Sequence, residues 1–269
     1  NKYDAYKIGF FLIELLKTDS VLVGRDVRMS SDEIFTYLTR GITDAGADVY
    51  NLGLATTPMV YYATAKGDFT ASVQITASHN PKEYNGLKVS GRNAEPIGYD
   101  TGLKFIEERM KSSSVVPVKD TGRVIDYDIR KDYITFLNSF KQDYSNLKFA
   151  VDCSNGMAAL LVKDILGNSP VYIYDELDGS FPNHEANPLI PENVVDLQNL
   201  VRKQKCDLGI IFDGDADRVM FVDEHSHFIS PDLMIAVLGH YFLEEKGFRG
   251  NVLQDIRTSK AVGEYLAPM

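Results

Sequence analysis

The sequence predicts an α/β protein made of two consecutive mixed-sheet α/β domains, with helices packed on the sheets. Three observations predict it. Strand-like and helix-like stretches alternate along the chain, which favours layers of helix on sheet. The 269 residues are enough for two domains of ordinary size, and 44% hydrophobic residues supply real cores. Two apolar strand-like runs end in loops rich in reactive side chains, where α/β proteins commonly carry their chemistry.

Taken in order, Val21–Arg25 reads as a strand. Ser31–Ala45 follows as a helix, with Ser30 or Ser31 as its cap and Asp32 and Glu33 in the first turn. Ala47–Leu54 is strand-like, and Pro58–Lys66 is a helix with proline near its start. Phe69, Ala71, Val73 and Ile75 alternate as a strand running into a loop that Asn80-Pro81 punctuates. Asn85-Gly86 is a tight turn that returns the chain through a strand around Leu87–Val89. A helix is expected over Asp100–Lys111 and an amphipathic stretch over Lys131–Phe140, with the boundary at Gln142–Asn146.

The second unit opens with a strand over Lys148–Asp152, a helix over Met157–Leu166 and a strand over Pro170–Tyr174. Gly179–Pro191 is rich in proline and asparagine and too irregular for a regular element, so it is expected to be a functional loop. Glu192–Lys205 reads as a helix, Leu208–Phe212 and Val219–Val222 as strands, and Pro231–Lys246 as another helix. Asn251–Ile256 is then expected as a strand and Ser259–Leu266 as a short helix. No tandem repeat or low-complexity tract is evident.

Charge and composition exclude several classes. A net charge of −10 argues against a nucleic-acid partner, which wants a basic face. The apolar stretches Ile8–Leu16 and Leu233–Leu243 are too short or interrupted to span a bilayer. Cys153 and Cys206 lie far apart in apolar contexts and read as buried free thiols, without zinc-ligand spacing. A cytoplasmic protein is the expectation.

Three carboxylates at alternate positions, Asp213, Asp215 and Asp217, close the strand Leu208–Phe212, and Arg218 follows at once. Their mutual repulsion calls for protons or a cation, and a hard ion such as Mg2+ prefers oxygen ligands. Arg218 adds a fixed fork of donors suited to a phosphate oxygen. A calcium loop of the EF-hand type fits Asp213, Asp215, Asp217 and Glu224, but puts Arg218 where the sharp turn needs glycine, and its flanks are strands. A solvated acidic turn without ligand is the plainer alternative. The Asp-x-Asp nucleophile of haloacid-dehalogenase-like phosphatases needs Thr or Val at the place of Asp217.

The other loop carries Ser78 and His79, and the Asn85-Gly86 turn is expected to bring Lys88 back toward Ser78. A serine beside a histidine and a lysine suggests a hydroxyl that gives or takes a group, with a base at hand. The alternative is a capping serine with a surface histidine.

Together, Thr76-Ala-Ser-His-Asn-Pro81, Asn85-Gly-Leu-Lys88 and Asp213-Gly-Asp-Ala-Asp-Arg218 resemble the α-D-phosphohexomutases, which include phosphoglucomutase/phosphomannomutase and phosphoglucosamine mutase. Val23-Gly-Arg-Asp-Val-Arg28, Val151-Asp-Cys-Ser-Asn-Gly156, Asp178–Pro188 and Gln254–Ser259 resemble further family segments along the whole chain. The resemblance implies residues 1–143 as a phosphoserine-loop domain, 144–249 as a metal-loop domain and 250–269 as the start of a third.

It also implies that Ser78 carries a phosphoryl group and exchanges it with a hexose monophosphate through a hexose 1,6-bisphosphate. Mg2+, one per chain, would be held by Asp213, Asp215, Asp217 and a Ser78 phosphate oxygen. Arg218, Arg25 and Asn80 would bind phosphate, with Lys88 as general acid/base. Its ammonium, near pKa 10.4 when free, would need cationic neighbours to lower it. His79 is left between orienting phosphate, proton transfer and a structural role, and Arg28 between partnering Asp26 and binding a ligand.

On the resemblance, the family's N-terminal segment and most of its third domain are expected to be missing, so this chain alone is expected to be catalytically poor or inactive. The strand Asn251–Ile256 would be open to pairing with another copy. Two other functions compete with the mutase, an isomerase: a metal-dependent sugar phosphatase and a non-catalytic sugar-phosphate-binding module. The preferred hexose is not decided by these residues.

Overall fold

The computed structural model describes residues 1–269. In the first unit, α1 (Lys2–Leu16), β1 (Ser20–Arg25), α2 (Ser31–Asp44), β2 (Asp48–Leu54), α3 (Thr57–Lys66), β3 (Ala71–Ile75), β4 (Leu87–Gly91), α4 (Lys104–Ser112) and β5 (Val124–Asp126) follow one another, and α5 (Arg130–Asn138) links this unit to the next. The second holds β6 (Phe149–Asp152), α6 (Val162–Leu166), β7 (Val171–Ile173), α7 (Val195–Gln204), β8 (Leu208–Phe212), β9 (Val219–Asp223) and β10 (Phe228–Ile229). Helices α8 (Pro231–His240) and α9 (Lys260–Leu266) close the chain.

Each unit has its own mixed five-stranded sheet. The first runs β4-β3-β1-β2-β5, with only β4 antiparallel to its neighbour. The second runs β10-β9-β8-β6-β7, with β6, β7 and β8 parallel and the β9 and β10 pairings antiparallel. The order β4-β3-β1-β2 therefore recurs as β9-β8-β6-β7 with the same directions.

Side-chain alternation on β1 builds two cores. Val21 and Val23 join Phe11, Leu12, Leu38 and Ile42 under α1 and α2. Leu22 faces the opposite way, into a cluster with Met59, Val60, Phe69 and Tyr133 that also takes in Leu161 of the second unit. The two units thus share apolar packing along one seam. No helix is long and apolar enough to cross a membrane.

Several elements differ from expectation. Helix α1, capped by Asn1 and Asp4, was visible only as an apolar stretch, and the short strands β5 and β10 carry too few residues to show alternation. The expected helix over Asp100–Lys111 starts at Lys104, after a wide turn over Tyr99–Leu103 that bends at Gly102. The helix expected over Met157–Leu166 divides into a tight turn, Met157–Leu160, and α6. The helix expected over Pro231–Lys246 passes into a wide turn at Tyr241–Glu245. Neither Ser30 nor Ser31 caps α2 with its side chain: Ser31 Oγ donates to Asp26 instead, at 2.5 Å. Asn251–Ile256 is not a strand. No strand lies beside it to take its backbone hydrogen bonds, and Leu253 and Ile256 are almost fully exposed.

Candidate active site

The two reactive loops occupy equivalent places in the two sheets. One joins β3 to β4 and the other joins β8 to β9, each linking a parallel strand to its antiparallel neighbour. The units face each other so that the loops touch. Ser78 Oγ donates to Asp213 Oδ2 at 2.8 Å, across 135 residues of sequence.

The serine loop is held through Arg28 of its own unit, over whose guanidinium lies Phe181 of the other. Arg28 is buried, and its guanidinium donates to the carbonyls of Ser78 (2.8 Å), Asn80 (2.7 Å), Pro81 (2.8 Å) and Tyr84 (3.1 Å). Buried Asp26 balances its charge, with Oδ2 3.2 Å from Nε. Of the two roles left open for Arg28, the structure therefore shows the Asp26 partnership, extended to a clamp on the loop backbone. Ser78 itself sits at φ 52°, a left-handed conformation uncommon for a side-chain-bearing residue and frequent near functional sites. Its N–H is taken by Thr76 Oγ1 at 2.9 Å.

The acidic loop is held from both units. Asp213 and Asp215 are fully buried and Asp217 is partly exposed, and one oxygen from each lies within 4.8 Å of the others. Asp213 Oδ1 accepts from the backbone N–H of Arg218 at 3.1 Å. Gly214 is wedged against Gly156 and the Ser78 carbonyl: a Cβ there would lie 2.4 Å from that oxygen, so glycine is required by close approach. Lys88 Nζ bridges Asp215 Oδ2 and Asp217 Oδ2, at 2.6 Å from each. Arg218 lies beside Asp213 and Asp217, at 3.8 and 3.7 Å.

Burial and the charges of Asp215 and Asp217 push the Asp213 carboxyl well above the usual range. Burial also acts on Asp215, but the charge and hydrogen bond of Lys88 and the Thr57 hydroxyl outweigh it and hold that group ionised. An all-oxygen cluster of this kind suits a hard divalent cation. The fit is supported by Asp215 Oδ1, which is buried and has no hydrogen-bond partner. Asp213, Asp215 and Asp217 are the residues that would hold such an ion.

One expectation needs correction. Lys88 comes back to the carboxylate cluster that Ser78 joins, but its neighbours are anionic rather than cationic. Burial lowers its pKa, yet Asp215 and Asp217 together raise it, so the ammonium is held protonated. Arg25 stands at the end of β1 opposite Ile75, but its Nε donates to Asp32 at 2.6 Å and its plane covers Phe35. Its Nη1 is buried without a partner. The Asn80 side chain is exposed, and what the loop uses is its backbone carbonyl. His79 Nδ1 lies 3.4 Å from Ser78 Oγ. Burial and the nearby Arg218 charge lower its pKa, so the imidazole is neutral.

Two groups near the loops escaped the sequence reading. Thr57 contacts Asp215 across the seam. His184, in the irregular loop singled out above, places Nε2 3.1 Å from buried Asp152 Oδ2 and Nδ1 2.8 Å from the Glu185 carbonyl. Threonine in a helix start and histidine in a loop are too common to be noticed without the fold.

Similarity to known proteins follows the same geometry. Residues 1–115 match phosphoglucomutase/phosphomannomutase alpha/beta/alpha domain I, and residues 131–226 match alpha/beta/alpha domain II. Phosphomannomutase of Escherichia coli strain K12 is 35% identical over 272 residues, covering 96% of this chain and 59% of that protein. Phosphomannomutase of Methanocaldococcus jannaschii is 33% identical, covering 97% of this chain and 59% of its own length. A crystal structure of a phosphoglucomutase/phosphomannomutase family protein from Burkholderia thailandensis superposes with a TM-score of 0.89 at 26% identity, over all of this chain and 60% of that one. The chain thus spans somewhat under two thirds of the relatives it matches.

Proposed function

The chain belongs to the α-D-phosphohexomutase family, and from that premise we propose that it interconverts hexose 1-phosphate and hexose 6-phosphate. In this reading Ser78 carries the phosphoryl group and a hexose 1,6-bisphosphate is the intermediate. The observation that carries the proposal is the contact of Ser78 Oγ with Asp213 Oδ2 inside a cluster of three carboxylates drawn from the opposite unit. A hydroxyl beside three carboxylates is a poor place to bring a phosphate unless a cation offsets their charge. Mg2+ bound there would supply that charge compensation and polarise a phosphoryl oxygen.

The chain's own residues then have distinct tasks. Arg28 holds the serine loop in place before any substrate arrives, which suits a transfer that depends mainly on positioning and charge. Arg218, half-exposed beside the carboxylates, and Arg25, with its unpartnered Nη1, are suited to grip phosphate oxygens. Lys88, kept protonated by Asp215 and Asp217, is suited to give a proton to a sugar oxygen and take it back. His79, neutral and near Ser78 Oγ, is suited to orient the hydroxyl.

The test is intact mass with site mapping, before and after incubation with glucose 1,6-bisphosphate and Mg2+. One phosphoryl group on Ser78, absent in Ser78→Ala, is expected. Release of inorganic phosphate from a sugar monophosphate with no transfer to a second hydroxyl would point to a phosphatase instead. Sugar-phosphate binding unchanged in Ser78→Ala, with no phosphoryl uptake by the parent, would overturn the mutase reading in favour of a binding module.

A further inference from the structure

Thr57 is fully buried at the start of α3, in the unit that does not carry the acidic loop. Its hydroxyl donates to Asp215 Oδ2 at 2.5 Å, and its backbone N–H donates to the Asp215 carbonyl at 3.1 Å. One residue thus holds both the side chain and the main chain of Asp215 across the seam. The N–H is free to do so because the first amide groups of a helix have no partner within it. Thr56 meanwhile caps the helix through Met59, and Pro58 has no N–H to compete.

Lys88 reaches the same Oδ2 at 2.6 Å. With two donors on Oδ2, the remaining acceptor of Asp215 is Oδ1, which is buried and has no partner. The two donors differ in stiffness. Lys88 has a long flexible stem and is 29% exposed, whereas Thr57 is branched at Cβ and enclosed. Lysine supplies charge, and threonine supplies direction.

We infer that Thr57 is a positioning residue that fixes the rotamer of Asp215, presenting Oδ1 to a divalent cation, and that it makes cation affinity depend on the contact between the two units. The inference rests on the metal-assisted reading proposed above. A carboxylate so fixed loses little freedom when it takes an ion. Without the hydroxyl, only the flexible Lys88 holds Oδ2, and the carboxylate is free to rotate away from the ion.

Mn2+, followed by its electron paramagnetic resonance signal, is a direct probe of a hard oxygen site and does not require turnover. It is titrated into the parent chain and into Thr57→Val, Thr57→Ala and Thr57→Ser. Partners of metal-ligating carboxylates typically contribute about 10- to 100-fold in affinity. Loss of that order is expected in Thr57→Val and Thr57→Ala, with Thr57→Ser close to the parent because it keeps the hydroxyl. A purely structural threonine would not separate Thr57→Ser from Thr57→Ala in this way. Parent-like Mn2+ affinity in Thr57→Val or Thr57→Ala overturns the role of Thr57, as does a loss in Thr57→Ser equal to that in Thr57→Ala. Should Thr57→Val not fold, the Thr57→Ala and Thr57→Ser pair carries the same comparison. A parent chain that does not bind Mn2+ overturns the metal reading itself.

Discussion

The Ser78 loop and the Asp213–Asp217 loop stand at the same point of two matching sheet topologies, yet they are supported in different ways. Arg28 and Asp26, both of the first unit, fasten the serine loop through four loop carbonyls and one buried ion pair, with Phe181 of the second unit lying over the Arg28 guanidinium. The acidic loop is fastened across the seam by Thr57, Ser78 and Lys88, and within its own unit by the Gly214 carbonyl, which accepts from Met157. A loop that must present one hydroxyl can be built in advance by its own domain. A loop that gathers three carboxylates is repulsive by itself, and is completed only when the partner unit brings donors to it.

The sharpest way to break this comparison is Arg28→Met. It leaves Asp26 buried without its cation and removes the donors from four carbonyls. Loss of one partner of a buried pair costs about 3–5 kcal/mol, and urea unfolding should show a fall of that size. A loss under about 1 kcal/mol, the level of an exposed pair, would mean that the serine loop is held by something else.

Next in size is Gly214→Ala. The added Cβ would meet the Ser78 carbonyl at 2.4 Å, so the two loops must part. Overpacking of this kind costs about 1–3 kcal/mol, measurable by thermal unfolding. The same variant is expected to weaken Mn2+ binding, because the acidic loop depends on the seam. Unchanged affinity would show that the carboxylates converge without the serine loop.

Thr56→Ala sharpens the comparison from the other side. It removes the cap from α3, whose start seats Asp215, at a cost of about 1 kcal/mol. Denaturant unfolding reads the loss, and an unchanged midpoint would show that the contact with Asp215, not the cap, holds the start of α3.

The smallest effect is a pH dependence at His184. Burial pulls its pKa down, but the Asp152 hydrogen bond and charge, with the Glu185 carbonyl, outweigh that and leave it raised. Both ring nitrogens face acceptors, so the imidazolium is the form that fits. A histidine with a raised folded pKa stabilises fully below the unfolded value, about 6.5, and the contribution is lost as pH rises through the folded pKa. The stability gap between the parent and His184→Gln should therefore shrink as pH is raised from about 6 to about 8. A gap that widens would mean that the histidine is buried neutral.

Much of the fold was legible because it rests on local pattern. Alternation along Phe69–Ile75 and the apolar run Leu208–Phe212 marked the two strands that carry the loops, and Pro58 marked the start of α3. What failed lacked such a pattern or needed a neighbour. Helix α1 was visible only as an apolar run, β5 and β10 are too short to alternate, and Asn251–Ile256 has no strand beside it.

The sequence by itself determined the chemistry available: one serine on a strand-end loop, three alternating carboxylates on another, and arginines and a lysine to balance them. Residue type and spacing along one strand are enough for that, since they decide which groups a single loop can present. Only the tertiary structure decided how those groups meet. It set Lys88 between Asp215 and Asp217, gave Arg28 the loop backbone, drew Arg25 to Asp32 and brought Thr57 to Asp215. Those contacts join residues far apart in the chain, and their partners are chosen by how two sheets pack against each other, which no local pattern encodes.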